Sequence, residues 1–235
     1  MKTVKFKNPT YVGDPVNAVR IFNQKEVDEL ILFDIDASAG AGIDYETVEK
    51  VVGECFMPIT YGGGVRSVAE MRRLYALGIE KISLSTAALA NPRLVEEAAM
   101  AVGVQSVVVT LDVKKTVFGK YTVRVDRGRR DTKRPVSEVA VEMQERGAGE
   151  LVVYSIDRDG TWDGFDLDLM AHVTSRVNIP VIASGGAGTL DDIRAAVKTG
   201  GASAVAIGSM AVFQGKDLGV LIKFPKPQEL ANLFA

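Results

Sequence analysis

The sequence predicts an α/β fold, a (β/α)8 TIM barrel with a two-fold repeat of half-barrels. Short apolar runs rich in β-branched residues alternate with helical patterns over the 235 residues. Most runs are continuous, as in parallel strands that are covered on both faces. The second half of the chain repeats motifs of the first, and no linker or block of like charge divides it. We therefore expect a single barrel domain over residues 1–235.

The apolar runs predict seven strands, at 30–35, 57–61, 81–85, 106–112, 150–155, 180–184 and 202–207. Patterns of helical spacing predict eight helices, at 14–24, 45–54, 67–77, 92–101, 136–146, 167–176, 190–198 and 227–233. Ser67 with Glu70 is typical of a capping box, and Asn91 before Pro92 is typical of a helix start. Glycines 78, 147 and 200 stand where helices commonly end.

Two segments do not follow this alternation of strands and helices. The alternation in 118–125 predicts a small hairpin inserted after the strand that ends at Asp112. The following segment, 126–134, is basic and contains glycine. It is interpreted either as a solvated loop or as a mobile lid over an anionic substrate.

The repeat of the two halves has a measurable offset. Asp34 and Asp157 lie 123 positions apart, and Gly63 and Gly185 lie 122 apart. By the same offset, the strand that carries Asp112 would have its counterpart before Met1. We therefore expect that this chain is N-terminally truncated and lacks the first strand; the alternative is an open barrel of seven strands.

Composition and charge exclude several functions. The formal net charge is −2, so no overall basic field favours nucleic acid or an anionic membrane. No apolar run is long enough to span a bilayer, and the first ten residues do not have the pattern of a signal peptide. Cys55 is the only cysteine, which fits a reduced, cytoplasmic enzyme.

Glycine and hydroxyl residues follow several predicted strands at the end of the barrel where active sites lie, here called the mouth. Such turns let backbone N–H groups approach phosphate oxygens. Because the turns occur in both halves, we predict two phosphate sites on opposite sides of the mouth and a ligand with a phosphate at each end. The alternative is that the glycines only make tight turns. The candidates are Gly63, Gly64, Ser85, Thr86, Ser184, Gly185, Gly186, Gly208 and Ser209.

Carboxylates also cluster at predicted strand ends, where burial and neighbouring charges tune acids for proton transfer. Asp112 ends a wholly apolar strand and is the strongest candidate; the others are Asp34, Asp36, Asp157 and Asp159. For Asp36 and Asp157, helix capping or an ion pair with Arg158 is an equally good explanation. Lys2 is a candidate cation at the same mouth. The single histidine, His172, falls in a helical pattern, and no Cys/His cluster indicates a metal, so no metal or other cofactor is predicted.

Several motifs together resemble the cyclase subunit of imidazole glycerol phosphate synthase. They are LILFDIDAS, YGGGVRS, VVVTLDVK, SIDRDGT, PVIASGGAG and IGSMAVF, and the similarity runs from about Lys2 to near the C-terminus. The resemblance implies a lyase of histidine biosynthesis. It would use ammonia from a glutaminase partner to convert a bisphosphorylated ribonucleotide into imidazole glycerol phosphate and aminoimidazole carboxamide ribonucleotide.

The resemblance also implies roles for particular residues. Asp112 matches the family's general acid/base, Asp159 a further active-site aspartate, and Lys2 the lysine of a mobile first loop. Of the positions given above, Gly64, Thr86, Gly185, Gly186 and Ser209 match the family's phosphate-binding positions. Glu29, Lys81 and Glu150 match three members of a charged ring at the ammonia entrance. The family's second catalytic aspartate and the fourth ring member, an arginine, have no counterpart, so we expect little activity from these residues alone.

Other features are more similar to a paralogous branch linked to surface-polysaccharide genes. Tyr154 stands where the family has a small threonine, and Ser85 stands where it has asparagine. In that branch the barrel is an ammonia-channel subunit that serves a sugar amidotransferase in lipopolysaccharide biosynthesis. A related isomerase of the same fold is a third candidate, but SIDRDGT and the charged trio favour the cyclase branch.

Overall fold

The computed structural model describes residues 1–234. Its strands are β1 (Lys2–Val4), β2 (Lys7–Thr10), β3 (Leu30–Phe33), β4 (Ile59–Gly62), β5 (Lys81–Leu84), β6 (Val107–Lys115), β7 (Tyr121–Val125), β8 (Arg130–Pro135), β9 (Glu150–Ser155), β10 (Val181–Ser184) and β11 (Ala204–Ala206). Its α-helices are α1 (Pro15–Gln24), α2 (Tyr45–Gly53), α3 (Val68–Ala76), α4 (Thr86–Ala90), α5 (Arg93–Val102), α6 (Val136–Glu145), α7 (Leu167–Thr174), α8 (Leu190–Lys198), α9 (Ser209–Val212) and α10 (Pro227–Asn232).

The central sheet is parallel and curls as a β/α barrel. Its strand order is β11-β10-β9-β6-β5-β4-β3, which places seven parallel strands side by side. Helices alternate with these strands, as the continuous apolar runs predict. Within the described residues, β3 pairs only with β4 and β11 only with β10. A seam therefore separates the two outer strands, at the place where the repeat predicts a missing one.

The core lies between the helices and the sheet. Helices α3, α5 and α6 each bury an apolar stripe, with Leu74, Val95 and Met143 fully covered. The central strands contribute β-branched and leucine side chains such as Leu111 and Leu151. Burial of apolar side chains on both faces of the sheet stabilises the fold and so holds the strand ends in fixed positions at the mouth.

The insertion after Asp112 differs from the predicted small hairpin. Strand β6 continues to Lys115 and pairs antiparallel with β7, which in turn pairs with β8. The segment 118–125 is therefore one strand and a turn of a three-stranded extension. Most of 126–134, expected as a loop, forms a turn and β8. Alternation of side chains over two faces stabilises this ribbon: Val123 and Val125 are buried, while the opposite face is charged.

Two other details were predicted wrongly or missed. Residues 2–10 form an antiparallel hairpin, β1–β2, for which the polar sequence carries no clear strand pattern. Asn91 does not cap a helix start, because it ends the short helix α4 and Pro92 precedes α5. Ser67 does cap α3, accepting a hydrogen bond from the Glu70 N–H.

The half-barrel repeat extends to the short helices. Helix α4 follows β5 and begins at Thr86; helix α9 follows β11 and begins at Ser209, 123 positions later. Both strand-to-helix connections lie at the mouth. The two halves therefore place equivalent hydroxyl residues at equivalent ends of the sheet.

Candidate functional site

A cavity of about 2340 Å³ opens at the mouth and extends through the interior of the barrel. Consecutive residues of both outer strands, from Leu30 to Phe33 and from Ala204 to Ile207, line it, so the cavity also reaches the seam. The site residues predicted from the sequence line this cavity, except Lys81, Asp36 and Asp157. The predicted catalytic, phosphate-binding and entrance positions thus share one continuous space.

Asp159 lies at the centre of a polar cluster in the mouth. Its side chain is fully buried, and Oδ1 accepts a hydrogen bond from Lys2 Nζ at 2.7 Å. Its other oxygen, Oδ2, accepts from Thr3 Oγ1 at 2.7 Å and from the Phe6 N–H at 3.1 Å. Burial opposes the charged form, but Lys2 and these hydrogen bonds outweigh it, and the pKa of Asp159 is lowered.

Asp112 lies on the adjoining strand in a contrasting environment. It extends from β6 into the cavity, in register with Tyr154 of β9. Burial, and secondarily the neighbouring Asp159 carboxylate, raise the pKa of Asp112 to about 7. A carboxyl group with this pKa exchanges a proton readily near neutral pH. The pKa values of two neighbouring acids are thus shifted in opposite directions, which is typical of acid/base sites.

Tyr154 is the register neighbour of Asp112 and forms a hydrogen bond with Asp159. Its hydroxyl donates to Asp159 Oδ1 at 2.9 Å and lies 3.3 Å from Lys2 Nζ. Its ring makes an edge contact with Phe6, with centroids 5.0 Å apart, and a tilted contact with Phe33 at 6.3 Å. Burial, followed by the charge of Asp159, raises the pKa of Tyr154 well above its ordinary value, so the phenol stays protonated.

The two glycine turns have backbone conformations that other residues seldom adopt. Gly63 has φ +138°, and a Cβ there would collide with the carbonyl oxygen of Asp34. Gly185 has φ +91°, and a Cβ there would lie 2.6 Å from the carbonyl oxygen of Ser155. In both halves the turn is therefore packed against the exit of the preceding strand, and only glycine fits.

The remaining predicted phosphate-binding positions surround these turns. Ser85 and Thr86 lie at the start of α4, and Gly208 and Ser209 at the start of α9. Thr86 Oγ1 accepts a hydrogen bond from the Asp126 N–H at 3.0 Å, which ties α4 to the β7–β8 turn. A Cβ at Gly208 would lie 2.8 Å from Lys2 Cε, so Gly208 allows the lysine to cross the mouth. Gly64, Ser184 and Gly186 also line the cavity.

Two other carboxylates at strand exits, Asp34 and Asp157, accept hydrogen bonds from backbone N–H groups, whereas the Asp36 side chain makes no capping hydrogen bond. Asp34 accepts from the N–H groups of Asp36 and Ala37 and from the Tyr61 hydroxyl at 2.9 Å, so it organises the turn after β3. Asp157 accepts from the Lys115 N–H at 3.0 Å and does not pair with Arg158. Asp36 and Asp157 do not line the cavity. The prediction that these acids reach the mouth is therefore wrong for Asp36 and Asp157.

Glu29, Lys81 and Glu150 come together at the opposite end of the barrel, where the strands begin. Lys81 Nζ lies 2.7 Å from Glu150 Oε1 and 3.1 Å from Glu29 Oε2. Desolvation opposes the charge, but the two carboxylates outweigh it, so the pKa of Lys81 is raised. Inside the barrel, between this end and the mouth, Ser83 and Thr110 form a buried hydroxyl pair at 2.6 Å.

Residues 1–234 contain no group of three or more His, Cys, Asp or Glu side chains arranged for a metal ion. No helix among them is long and apolar enough to cross a bilayer. His172 lies on α7 at the outside, with its ring 6.2 Å from that of Tyr121. The polar side chains that meet in the mouth are those of Asp159, Tyr154 and Lys2, and Asp112 lines the same cavity.

The contribution of the N-terminal hairpin was missed from the sequence. Thr3 and Phe6 both hold Asp159, and the Lys5 N–H donates to the Asp159 carbonyl oxygen at 3.0 Å. The residues KNPT of β2 are exposed and carry no apolar alternation, so no local signal indicates a strand. The only hint is the basic and aromatic content of a segment next to an acidic site.

The fold and the cavity define a β/α-barrel protein whose mouth combines paired acids with two glycine-turn cradles. The chain belongs to the family described as histidine biosynthesis protein, whose model matches residues 1–217. That family has the TIM-barrel fold, so the predicted fold class is confirmed.

Similar proteins carry more specific names. A Pseudomonas aeruginosa protein, provisionally named imidazole glycerol phosphate synthase subunit hisF2, is 48% identical over 231 residues, covering 98% of this chain and 92% of its own length. A Vibrio vulnificus protein, provisionally named subunit hisF3 of the same synthase, is 46% identical, covering 97% and 89% respectively. The imidazole glycerol phosphate synthase subunit HisF of Caulobacter vibrioides is 42% identical, covering 93% and 85%.

Proposed function

We propose that the protein is an ammonia-dependent cyclase/lyase of the imidazole glycerol phosphate synthase type. It would form imidazole glycerol phosphate and aminoimidazole carboxamide ribonucleotide from a bisphosphorylated substrate in the cytoplasm. The observation that carries the proposal is the position of Asp112, an acid with a pKa of about 7 that lines a cavity between two glycine-turn cradles.

The two acids suit different parts of this reaction. Ring closure and bond cleavage both need proton transfers, and Asp112 can carry a proton in either direction near neutral pH. Asp159 stays charged beside Lys2, so it orients the lysine and the Tyr154 hydroxyl instead of exchanging a proton. In this mechanism Asp112 is the catalytic acid/base, and Asp159 and Lys2 position the polar side chains next to it.

The duplicated turns suit a ligand with two phosphates. One cradle comprises the glycine turn after β4 and the start of α4; the other comprises the turn after β10 and the start of α9. Backbone N–H groups and hydroxyls are the usual ligands of phosphate oxygens at such turns. The distance between cradles on opposite sides of a barrel requires an elongated molecule, with its reacting centre over Asp112.

The opposite end of the barrel suits a glutaminase partner that supplies ammonia. Glu29 and Glu150 line the same cavity as Asp112, and the Ser83–Thr110 pair lies between them and the mouth. Hydroxyl groups of this kind can form hydrogen bonds with a small molecule that passes them. Phe56, in the connection between α2 and β4 at this end, is 86% exposed and offers an apolar contact for a partner.

The direct test supplies ammonium at high pH together with the bisphosphorylated substrate and quantifies both products by mass spectrometry. We expect slow turnover that Asp112→Asn abolishes, while Asp157→Asn, which alters an acid outside the cavity, retains it. Turnover that survives in the Asp112→Asn variant would contradict the assignment of the acid/base.

A separate test addresses the partner. Lys81→Met removes the cation between Glu29 and Glu150 but leaves the mouth unchanged. With a glutaminase present, glutamine-dependent turnover should fall at least ten-fold while ammonium-dependent turnover stays within two-fold. An equal loss with both nitrogen sources would contradict an entrance role for this trio.

Tyr154 favours a second candidate, an ammonia-channel subunit that serves a sugar amidotransferase. Its ring lies beside the Gly185 turn, 3.3 Å from where a Cβ of Gly185 would be, and contacts Phe33 and Phe6. These aromatic rings occupy space beside the Gly185 turn that a long substrate would need, whereas ammonia requires far less. Absence of any turnover from the bisphosphorylated substrate, with a glutaminase still bound, would favour this candidate.

A further inference from the structure

The turn between β6 and β7, residues 116–120, here called the hairpin tip, exposes two large apolar side chains. Val117 is 95% exposed and Phe118 is 89% exposed, the two highest values among the large apolar residues described. Such exposure has an energetic cost in water and is uncommon unless another molecule covers the residues.

This exposure is held in place by hydrogen bonds within the turn. The Thr116 N–H donates to the Lys120 carbonyl oxygen at 2.7 Å, and the Gly119 N–H donates to the Thr116 carbonyl oxygen at 2.9 Å. The Lys120 N–H also donates to Thr116 Oγ1 at 3.1 Å. Because the backbone of the turn is closed in this way, Val117 and Phe118 cannot fold back without breaking it.

The base of the hairpin is anchored to the rim of the mouth. The Lys115 N–H donates to Asp157 Oδ2 at 3.0 Å, and the Tyr121 hydroxyl donates to Asp166 Oδ1 at 2.9 Å. The Lys115 ammonium also lies 5.1 Å from the centre of the Tyr121 ring. The tip is therefore presented at a fixed place on the mouth end of the barrel.

The surroundings of the tip are basic. Lys114, Lys115 and Lys120 are exposed, and none of the three makes an ion pair with a described residue. The surface of a molecule that binds the tip would therefore need an apolar pocket with carboxylates at its edge.

A second apolar surface lies on the other side of the β9–α7 connection. Leu218, Val220 and Leu221 are each about half exposed, and Lys216 of the same loop pairs with Asp163 at 3.3 Å. The β9–α7 connection thus contacts the hairpin through Asp166 and this loop through Asp163. Together these features make a surface beside the mouth, at the opposite end from Lys81.

We propose that the hairpin tip is the docking site for a protein partner that carries an apolar pocket edged by Asp or Glu side chains. This partner sits on the mouth end and differs from one that binds near Lys81. A protein pocket suits the tip better than an anionic membrane does, because Asp217 on the same end is exposed, makes no ion pair with a described residue and would be repelled by a flat anionic surface. The proposal does not depend on the reaction proposed above.

The test begins with a photo-cross-linking phenylalanine analogue at position 118, in the cells that make the protein, and with the same analogue at position 56 as the control. We expect one discrete adduct at position 118 that is absent at position 56, and a cross-linked peptide that contains apolar residues beside Asp or Glu. No discrete adduct, or the same adduct at both positions, would overturn the proposal.

The partner identified in this way is then purified and titrated calorimetrically onto the unmodified chain. Phe118→Asp should weaken binding at least ten-fold, Phe56→Asp should leave it unchanged, and alanine at the three lysines should weaken it at low salt only. Equal binding by the wild type and Phe118→Asp would overturn the proposal. So would sedimentation of the wild type, but not of Phe118→Asp, with phosphatidylglycerol-containing vesicles, since that result assigns the tip to a lipid surface.

Discussion

The Tyr154 hydroxyl and Lys2 Nζ both bind the same carboxylate oxygen, Oδ1 of Asp159, at 2.9 Å and 2.7 Å. This arrangement links β9, the connection that follows it and the N-terminal hairpin through a single buried charge. Because Asp159 has no exposed surface, its charge depends on these partners and not on water.

The first prediction concerns Lys2→Met. Removal of the ammonium leaves a buried carboxylate without its counter-ion, which should lower the free energy of unfolding at pH 7 by about 3 kcal/mol. The pKa of Asp159 is lowered in the folded protein. Its stabilising effect is therefore present above the ordinary aspartate pKa and is lost as the pH falls through the lowered value.

Urea unfolding at several pH values checks this prediction. The difference between Lys2→Met and the wild type should shrink on acidification, and it should largely vanish in the background of Asp159→Asn. A loss of stability that is the same in that background would contradict the pairing.

The second prediction concerns Tyr154→Phe, which removes one hydrogen bond and keeps the ring. We expect a loss of about 1 kcal/mol in the free energy of unfolding, since the remaining partners of Asp159 are unchanged. Tyr121→Phe, which also removes a hydroxyl bonded to a carboxylate, is the matched control outside the mouth. If only Tyr154→Phe alters the exchange of backbone amides in residues 2–10, measured by mass spectrometry, the phenol holds the hairpin; equal exchange in both variants would refute that role.

The third prediction uses the raised pKa of Asp112. The folded protein binds this proton up to a pH of about 7, whereas the unfolded chain releases it near 3.8. Stability should therefore decline as the pH rises from about 4 to about 7 and then level off, because the charged form is disfavoured by burial. Asp112→Asn removes that charge and should be more stable than the wild type at pH 8, by on the order of 2 kcal/mol.

The same comparison at pH 5 provides the control. In urea unfolding, the gain in stability from Asp112→Asn should be clearly smaller at pH 5 than at pH 8, because only the part of the decline between pH 4 and pH 5 has then occurred. A gain in stability that does not change between pH 5 and pH 8 would show that Asp112 has an ordinary pKa.

The fourth prediction concerns the glycine turns. Gly63→Ala combines a positive φ with a collision against the Asp34 carbonyl oxygen, and it should cost at least about 2 kcal/mol of stability. Gly53→Ala, at the end of α2, meets no atom within 4 Å and has an ordinary φ; it should change stability by less than about 1 kcal/mol in either direction. Similar melting temperatures for the two variants would contradict the tight approach at Gly63.

Much of this fold was predictable because parallel strands covered on both faces have a strong sequence pattern. The strand Glu150–Ser155 and the helix Leu190–Lys198 have the predicted bounds, and the repeat indicated a sheet of seven parallel strands. The three-stranded extension was harder, because β8 is charged and its stability comes from pairing with β7 instead of from local preference.

The site was predictable to the extent that strand ends converge on one mouth. Asp112, Asp159 and the glycine turns could be found in this way, since β/α connections place them together. Which acids enter the cavity could not be predicted, because two positions within the same turn separate Asp159, which faces the cavity, from Asp157, which binds a backbone N–H group. The hydrogen bonds from Thr3 and Phe6 to Asp159 join residues that lie more than 150 positions apart in the sequence, so they could not be predicted either.

For the reaction proposed above, the seam between β3 and β11 bears on how efficiently a diffusible nitrogen source would reach Asp112. Residues of both outer strands border the same cavity as the acids, so a small neutral molecule that enters near Glu29 can escape sideways into bulk water before it arrives. In the proposed reaction, such leakage would lower the amount of product formed per glutamine hydrolysed. It would not change the rate at saturating ammonium, so only the first quantity would depend on what covers the seam.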